Sequence, residues 1–87
     1  MSDREVTQTM KSKKGDISAL CNSTALWNPK LKSMAILEIE DNIHRYFVKV
    51  ENEEVDIQVV THRLKGKYLR TDPDKTTNNN LKDLPDC

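Results

Sequence analysis

Oxygen-bearing side chains recur at every second position near the end of this chain, a pattern that could bind a hard cation. They are Asp72, Asp74, Thr76, Asn78 and Asn80, with Asp83 at the twelfth position of the stretch. The spacing resembles the ligand order of a calcium loop, which has glycine sixth and a bidentate glutamate twelfth. Threonine and aspartate hold those positions here, so a structural turn is the favoured interpretation. We predict no cofactor, and calcium binding is the alternative.

The other reactive side chains lack the arrangement that catalysis needs. His44 and His62 are the only imidazoles, and both fall at predicted strand ends. Cys21 closes an apolar strand face, which favours a buried thiol over a nucleophile. The chain has two glycines, too few for a phosphate-binding loop or for the glycine elbow of a serine nucleophile. We therefore predict that the protein is not an enzyme.

The composition fits one small domain with a low apolar content. Of the 87 residues, 36% are hydrophobic, and 14 basic residues balance 14 acidic ones. The apolar fraction suffices for a single core, and the zero net charge argues against a duplex nucleic-acid binder. The charge is unevenly spread, because residues 62–75 carry a basic excess and residues 38–56 an acidic one.

The cysteine usage and the polar N-terminal residues predict a cytoplasmic protein. Cys21 and Cys87 form no C-x-x-C motif, which disfavours zinc and redox sites and predicts reduced thiols. The first residues lack the apolar core of a signal peptide. No apolar run approaches the ~20 residues of a membrane span, so no membrane partner is expected.

Alternating apolar residues predict strands, and one helical stripe interrupts them. The predicted strands cover 5–10, 17–21, 44–50, 55–60 and 68–71. The predicted helix covers 30–41, with Asn28 and Pro29 at its start and Asn42 as a left-handed C-terminal residue. Its buried stripe would hold Leu31, Met34, Ala35 and Ile39.

This ββαβββ order predicts a small α+β domain, in which the helix packs across one face of an antiparallel sheet. We expect residues 1–4 to be loose and residues 5–87 to form the domain. Residues 72–85 would form a C-terminal clasp, in which an asparagine caps a short helical turn and Leu81 and Leu84 hold the segment against the sheet.

The closing segment carries a family resemblance. Tyr68-Leu-Arg-Thr-Asp-Pro-Asp74, Asn79-Asn80-Leu81 and Leu84-Pro85 resemble the final motif of a family of short bacterial proteins known only as a domain of unknown function. Trp27, Ala35-Ile36, Ile39-Glu40, Tyr46 with Val48, and 55–60 extend the resemblance upstream, so that it covers roughly Val6 to Pro85. Asn42 stands where the family is expected to have glycine. The resemblance implies no activity, cofactor or partner.

One sheet face offers a candidate interaction surface. Alternation places Phe47 beside Arg45 and Lys49, and an open face of this kind would resemble the stacking and cationic surface of single-strand binders. The same surface would equally serve a protein interface. The full candidate set is Arg45, Phe47, Lys49, Tyr68, Arg70, Asp72, Asp74 and Asn80.

We predict a small non-enzymatic interaction module that binds an unidentified protein or a second copy of itself. The alternative is an accessory protein that binds single-stranded nucleic acid weakly, although the zero net charge disfavours it.

Overall fold

The computed structural model describes residues 2–64, 66–72, 75 and 79–87. Its strands are β1 (Ser2–Glu5), β2 (Gln8–Lys11), β3 (Ile17–Cys21), β4 (Lys30–Leu31), β5 (His44–Val50), β6 (Glu53–His62) and β7 (Gly66–Thr71). One α-helix, α1 (Lys32–Glu40), and a 3-10 helix, Asn80–Asp83, complete the described part. The predicted α+β class is confirmed.

The strands form two sheets, where the sequence predicts a single antiparallel one. The larger sheet has the order β1-β5-β6-β7, with β1 parallel to β5 and the other pairs antiparallel. The smaller sheet is antiparallel and has the order β2-β3-β4. Consequently β7 is an edge strand of the larger sheet.

β1 corrects the prediction of a loose end for residues 2–4. It pairs with β5 in register from Ser2 opposite His44 to Glu5 opposite Phe47. The chain then changes sheet, because the N–H of Val6 donates to the Phe47 carbonyl at 2.8 Å and the N–H of the next residue to a carbonyl of β3 at 3.0 Å. The predicted strand 5–10 is therefore divided between the two sheets.

The helix begins two residues later than predicted, because Lys30 and Leu31 pair with β3 as strand β4. Asn28 does not cap the helix, since its Oδ1 accepts a hydrogen bond of 2.9 Å from the N–H of Asn22. Leu31 holds the N-cap position without a side-chain hydrogen bond. The helix ends at Glu40, one residue before the predicted end, and Asn42 lies beyond it in the left-handed region at φ 56°, as predicted.

The hairpin of β5 and β6 closes through a two-residue turn. Val50 pairs with Glu53, which leaves Glu51 and Asn52 as the turn residues. Both have positive φ, 51° and 70°, as a type I′ turn requires. This geometry matches the right-handed twist of the two strands.

The core lies between α1 and the two sheets. It consists of Val6, Ile17, Leu20, Ala35, Ile36, Tyr46, Val48, Val55, Ile57, Leu69 and Leu81. Alternation within β5 and β6 accounts for four of these positions, since Tyr46, Val48, Val55 and Ile57 all face inward. Leu81 comes from the clasp and is fully buried, in agreement with its predicted anchoring role.

The end of the chain is attached to β2. The N–H of Thr9 donates to the Pro85 carbonyl at 3.0 Å, and the N–H of Cys87 donates to the Thr9 carbonyl at 3.2 Å. The ammonium of Lys11 donates to the Leu84 carbonyl at 2.8 Å. Cys87 also forms a disulfide with Cys21. The prediction of reduced thiols is therefore wrong, because strand pairing brings together two cysteines that are far apart in sequence.

Candidate functional site

The Phe47 ring is covered on its sheet face. Phe47 is only 7% exposed, because the guanidinium of Arg45 lies over its ring at 4.6 Å from the centroid. Lys49 is exposed on the same face. The sequence places these three side chains on one face and leaves open whether Phe47 is accessible there. In the structure its ring is covered.

Arg45 also forms ion pairs with neighbouring carboxylates. Its Nε donates to Asp56 at 2.6 Å and its Nη1 to Glu54 at 3.1 Å, and Asp3 lies 3.6 Å away. Burial alone would lower the pKa of Arg45, but the hydrogen bonds to the two carboxylates outweigh it and raise the pKa. An anionic ligand at this position would have to displace these acids.

Tyr68 and Arg70 line a separate recess of about 300 Å³. Lys32 from the start of α1, Lys67 from β7 and Lys82 from the 3-10 helix line it as well, and Asp16 supplies a carboxylate. We call this recess the basic groove. The basic excess of residues 62–75 indicates part of it in the sequence, whereas Lys32 and Lys82 are brought in by tertiary packing and carry no local signal.

The lysines of the basic groove differ in their partners. Lys67 is paired, with its ammonium 2.8 Å from Glu40. No described carboxylate lies within salt-bridge distance of Lys32 or Lys82. Arg70 uses its Nε to donate to the carbonyl of Thr71 at 2.9 Å, which leaves its terminal nitrogens for another acceptor. The groove therefore contains cationic groups that the described part of the fold does not neutralise.

The edge of β7 runs along the basic groove and is partly capped. The Asn79 amide donates to the Leu69 carbonyl at 3.1 Å, and its oxygen accepts from the Thr71 N–H at 3.4 Å. The same oxygen accepts from Leu81 N–H at 3.2 Å, so Asn79 is the asparagine that caps the 3-10 helix. A single side chain thus protects the strand edge and fixes the clasp.

The remaining candidate residues make hydrogen bonds within the fold where they are described. Asn80 accepts from the Thr71 hydroxyl at 3.4 Å. The N–H of Asp72 donates to the carbonyl of Asp56 at 2.9 Å. Asp74 lies outside the described residues, as do three other positions of the calcium-like pattern, namely 76, 77 and 78. The described residues contain no cluster of three or more His, Cys, Asp or Glu side chains that could hold a metal ion.

A polar cluster that the sequence did not reveal joins β1, β5 and α1. The Tyr46 hydroxyl accepts from Arg4 at 2.8 Å and donates to Glu38 at 2.6 Å. Trp27 meets the Tyr46 ring edge to face at 5.5 Å. Burial and the hydrogen bond to Glu38 raise the pKa of Tyr46 to about 12. Because these groups satisfy one another and Tyr46 is 1% exposed, the cluster stabilises the fold.

The outer face of α1 is apolar. The sequence predicts that Leu31 and Met34 belong to the buried stripe of the helix, but both are exposed. Ala35 and Ile36 are buried, whereas Leu31, Met34 and Leu37 are 61%, 47% and 54% exposed. Met34 and Leu37 are three residues apart and therefore share one side of the helix. Leu31 lies just before them, at the N-cap position. With nine residues, α1 is too short to cross a membrane, and no other helix of the described chain is long enough.

These features define a small disulfide-bonded α+β domain with a basic groove and an apolar helix face. Residues 5–85 match the model of a family described as protein of unknown function, DUF3892. The chain therefore belongs to the DUF3892 family. Neither the curated proteins nor the solved structures contain a significant match.

Proposed function

We propose that the protein is a small non-enzymatic interaction module whose binding surface is the outer face of α1. The supporting observation is the exposure of Leu31, Met34 and Leu37. Burial of side chains of this size is worth about 1.5–3 kcal/mol each when it is complete. A helix that is apolar on both sides is normally covered on both sides.

The occupant we propose is a second copy of the chain. α1 begins with Lys32, and Asp41 follows its last residue, so these charges oppose its own dipole. In an antiparallel pair of α1 helices related by a two-fold axis, Lys32 of each copy would approach Asp41 of the other. The apolar residues would meet between them. The pairing would offset both the exposed apolar surface and the unfavourable charge placement.

Analytical ultracentrifugation over a range of concentrations tests this proposal. The mass should rise from 10.0 kDa towards twice that value as the concentration increases. Leu37→Glu should keep the protein monomeric, whereas Leu64→Glu, at a leucine that is 90% exposed elsewhere, should not. A wild-type protein that stays monomeric at about millimolar concentration contradicts self-association.

The competing occupant is a different protein. In that case the wild-type chain would stay monomeric and capture a partner from its native cell extract, and Leu37→Glu would lose that partner. Capture that survives Leu37→Glu would place the binding surface elsewhere on the molecule and overturn the role proposed for α1.

The alternative function is weak binding of single-stranded nucleic acid. The Phe47 ring is not available for stacking, because Arg45 covers it. The basic groove with Tyr68 is the surface that now favours this function. Three further expectations stay predictions. They are the bacterial origin of the family, the closing motif as its marker and the cytoplasmic location. The disulfide weighs against the last of these, because disulfides persist mainly in oxidising compartments.

A further inference from the structure

We propose that the basic groove binds a phosphate-bearing nucleotide, either free or as one unit of a single strand. The first support is charge. Lys32, Arg70 and Lys82 line the groove against the carboxylate of Asp16, while Lys67, which also lines it, is paired with Glu40. The protein as a whole has zero net charge, so this cationic excess is local. A recess of this kind concentrates anions at its surface.

The second support is the geometry of hydrogen-bond donors. Within an antiparallel strand the N–H and C=O of one residue point to the same side. The Leu69 carbonyl points away from β6, because it accepts from Asn79. The Leu69 N–H therefore also points towards the outer edge of β7, although the residue is only 1% exposed. Arg70 adds its terminal guanidinium nitrogens, which suit phosphate recognition.

The third support is the aromatic side chain in the groove. Tyr68 is half-buried, and no described group bonds to its hydroxyl. A ring in this position can stack a base while the lysines hold the phosphate, as in single-strand binding sites. The volume of about 300 Å³ lies at the lower end of the range for small-ligand sites. It therefore fits one nucleotide, and a longer strand would extend beyond the groove.

Fluorescence anisotropy with a labelled oligothymidylate of about twelve nucleotides tests the proposal. Binding should be measurable at about 20 mM salt and much weaker at about 200 mM. Uridine monophosphate is the free-nucleotide probe, and inorganic phosphate is the probe without a base. Both are followed by amide chemical shifts, which should change along β7. Competition by the mononucleotide favours a free nucleotide, and binding of the oligonucleotide alone favours a strand.

Three variants locate the site. Lys82→Glu should weaken oligonucleotide binding by about threefold to tenfold, because it reverses an unpaired charge. If only the mononucleotide binds, the same loss is expected for the mononucleotide. Tyr68→Ala should weaken nucleotide binding by about tenfold and leave the response to inorganic phosphate unchanged. Lys49→Glu reverses an exposed lysine on the Phe47 face and should have no effect. Circular dichroism should show that all three variants remain folded.

Several results would overturn the proposal. The first is absence of binding to either nucleotide probe at low salt. Equal weakening by Lys49→Glu and Lys82→Glu would indicate attraction by the whole surface. Equal affinity for a polyglutamate peptide would show that the groove accepts any polyanion. None of the variants alters the exposed leucines of α1, so failure here and failure of self-association are distinguishable.

Discussion

The Tyr46 hydroxyl links Arg4 of β1 to Glu38 of α1, with hydrogen bonds of 2.8 Å and 2.6 Å. These two elements are far apart in the chain, and the Tyr46 side chain is almost completely buried. Glu38 also lies 3.4 Å from the ammonium of Lys30. A single phenol oxygen therefore connects the N-terminal strand, the central strand of the larger sheet and the helix.

Tyr46→Phe should lower the free energy of unfolding by about 1–3 kcal/mol. The substitution keeps the ring but leaves Arg4 and Glu38 without a shared partner in a largely buried cluster. Urea unfolding followed by circular dichroism measures the change. Tyr68→Phe is the matched control, since no described group bonds to that hydroxyl, and its midpoint should be unchanged. Equal midpoints for both variants would contradict the role of the Tyr46 hydroxyl.

The same cluster should make stability fall at alkaline pH. The folded-state pKa of Tyr46 is about 12, above the ordinary value of 10.0. The proton is therefore held more tightly in the folded state, and the resulting stability is fully present below pH 10 and is lost as the pH rises towards 12. Wild type should lose about 2–3 kcal/mol more than Tyr46→Phe over this window. Parallel stability curves for the two proteins would contradict the assignment.

Glu38 should make the stability of the fold decrease as the pH falls into the acidic range. Burial alone would raise its pKa, but the Tyr46 hydrogen bond and the charges of Lys30 and Arg4 outweigh it and lower the pKa below the ordinary 4.5. Its contribution is thus present above pH 4.5 and is lost as the pH falls through the lower folded-state value. Glu38→Gln should be less stable at neutral pH and flatter below pH 4.5. A Glu38→Gln curve that falls as steeply as wild type would argue against this effect.

The sequence predicts burial well in the strands β5 and β6, but it predicts the buried side of the helix and the distant pairings poorly. Alternation identifies the inward residues of β5 and β6, and Leu81 is correctly predicted as an anchor. Alternation cannot show which strand lies beside another. For this reason the transfer at Val6 from one sheet to the other is missed, as are the pairing of Lys30 and Leu31 with β3 and the Cys21–Cys87 bond. The same reason applies to the basic groove, because Lys32 and Lys82 meet only after folding.

The disulfide should carry a measurable share of the stability. It closes a loop with a sequence separation of 66 residues, for which the chain-entropy model gives a stabilisation of about 4 kcal/mol. Cys87→Ser should lower the unfolding free energy by this amount. A reductant should have the same effect on wild type and none on Cys87→Ser. Wild type whose stability does not change with reductant would contradict this contribution of the disulfide.

Leu81→Ala should destabilise the fold by about 2–4 kcal/mol, because Leu81 is 0% exposed and its truncation leaves a cavity. Leu64→Ala is the control. That leucine is 90% exposed, so its loss should change the unfolding midpoint little. A Leu81→Ala midpoint equal to that of wild type would show that the clasp does not depend on this anchor.

Suitable substitutions in the turn between β5 and β6 should increase the stability of the fold. Glu51 and Asn52 both hold positive φ, and a side chain other than glycine or asparagine is disfavoured there. Asn-Gly is the preferred pair for a type I′ turn, so the double variant Glu51→Asn with Asn52→Gly should raise the unfolding free energy by about 0.5–1 kcal/mol. Asn52→Ala should lower it by a similar amount, because alanine tolerates the left-handed region less well than asparagine. Thermal unfolding measures both changes. Shifts of the same sign for the two substitutions would contradict a type I′ turn.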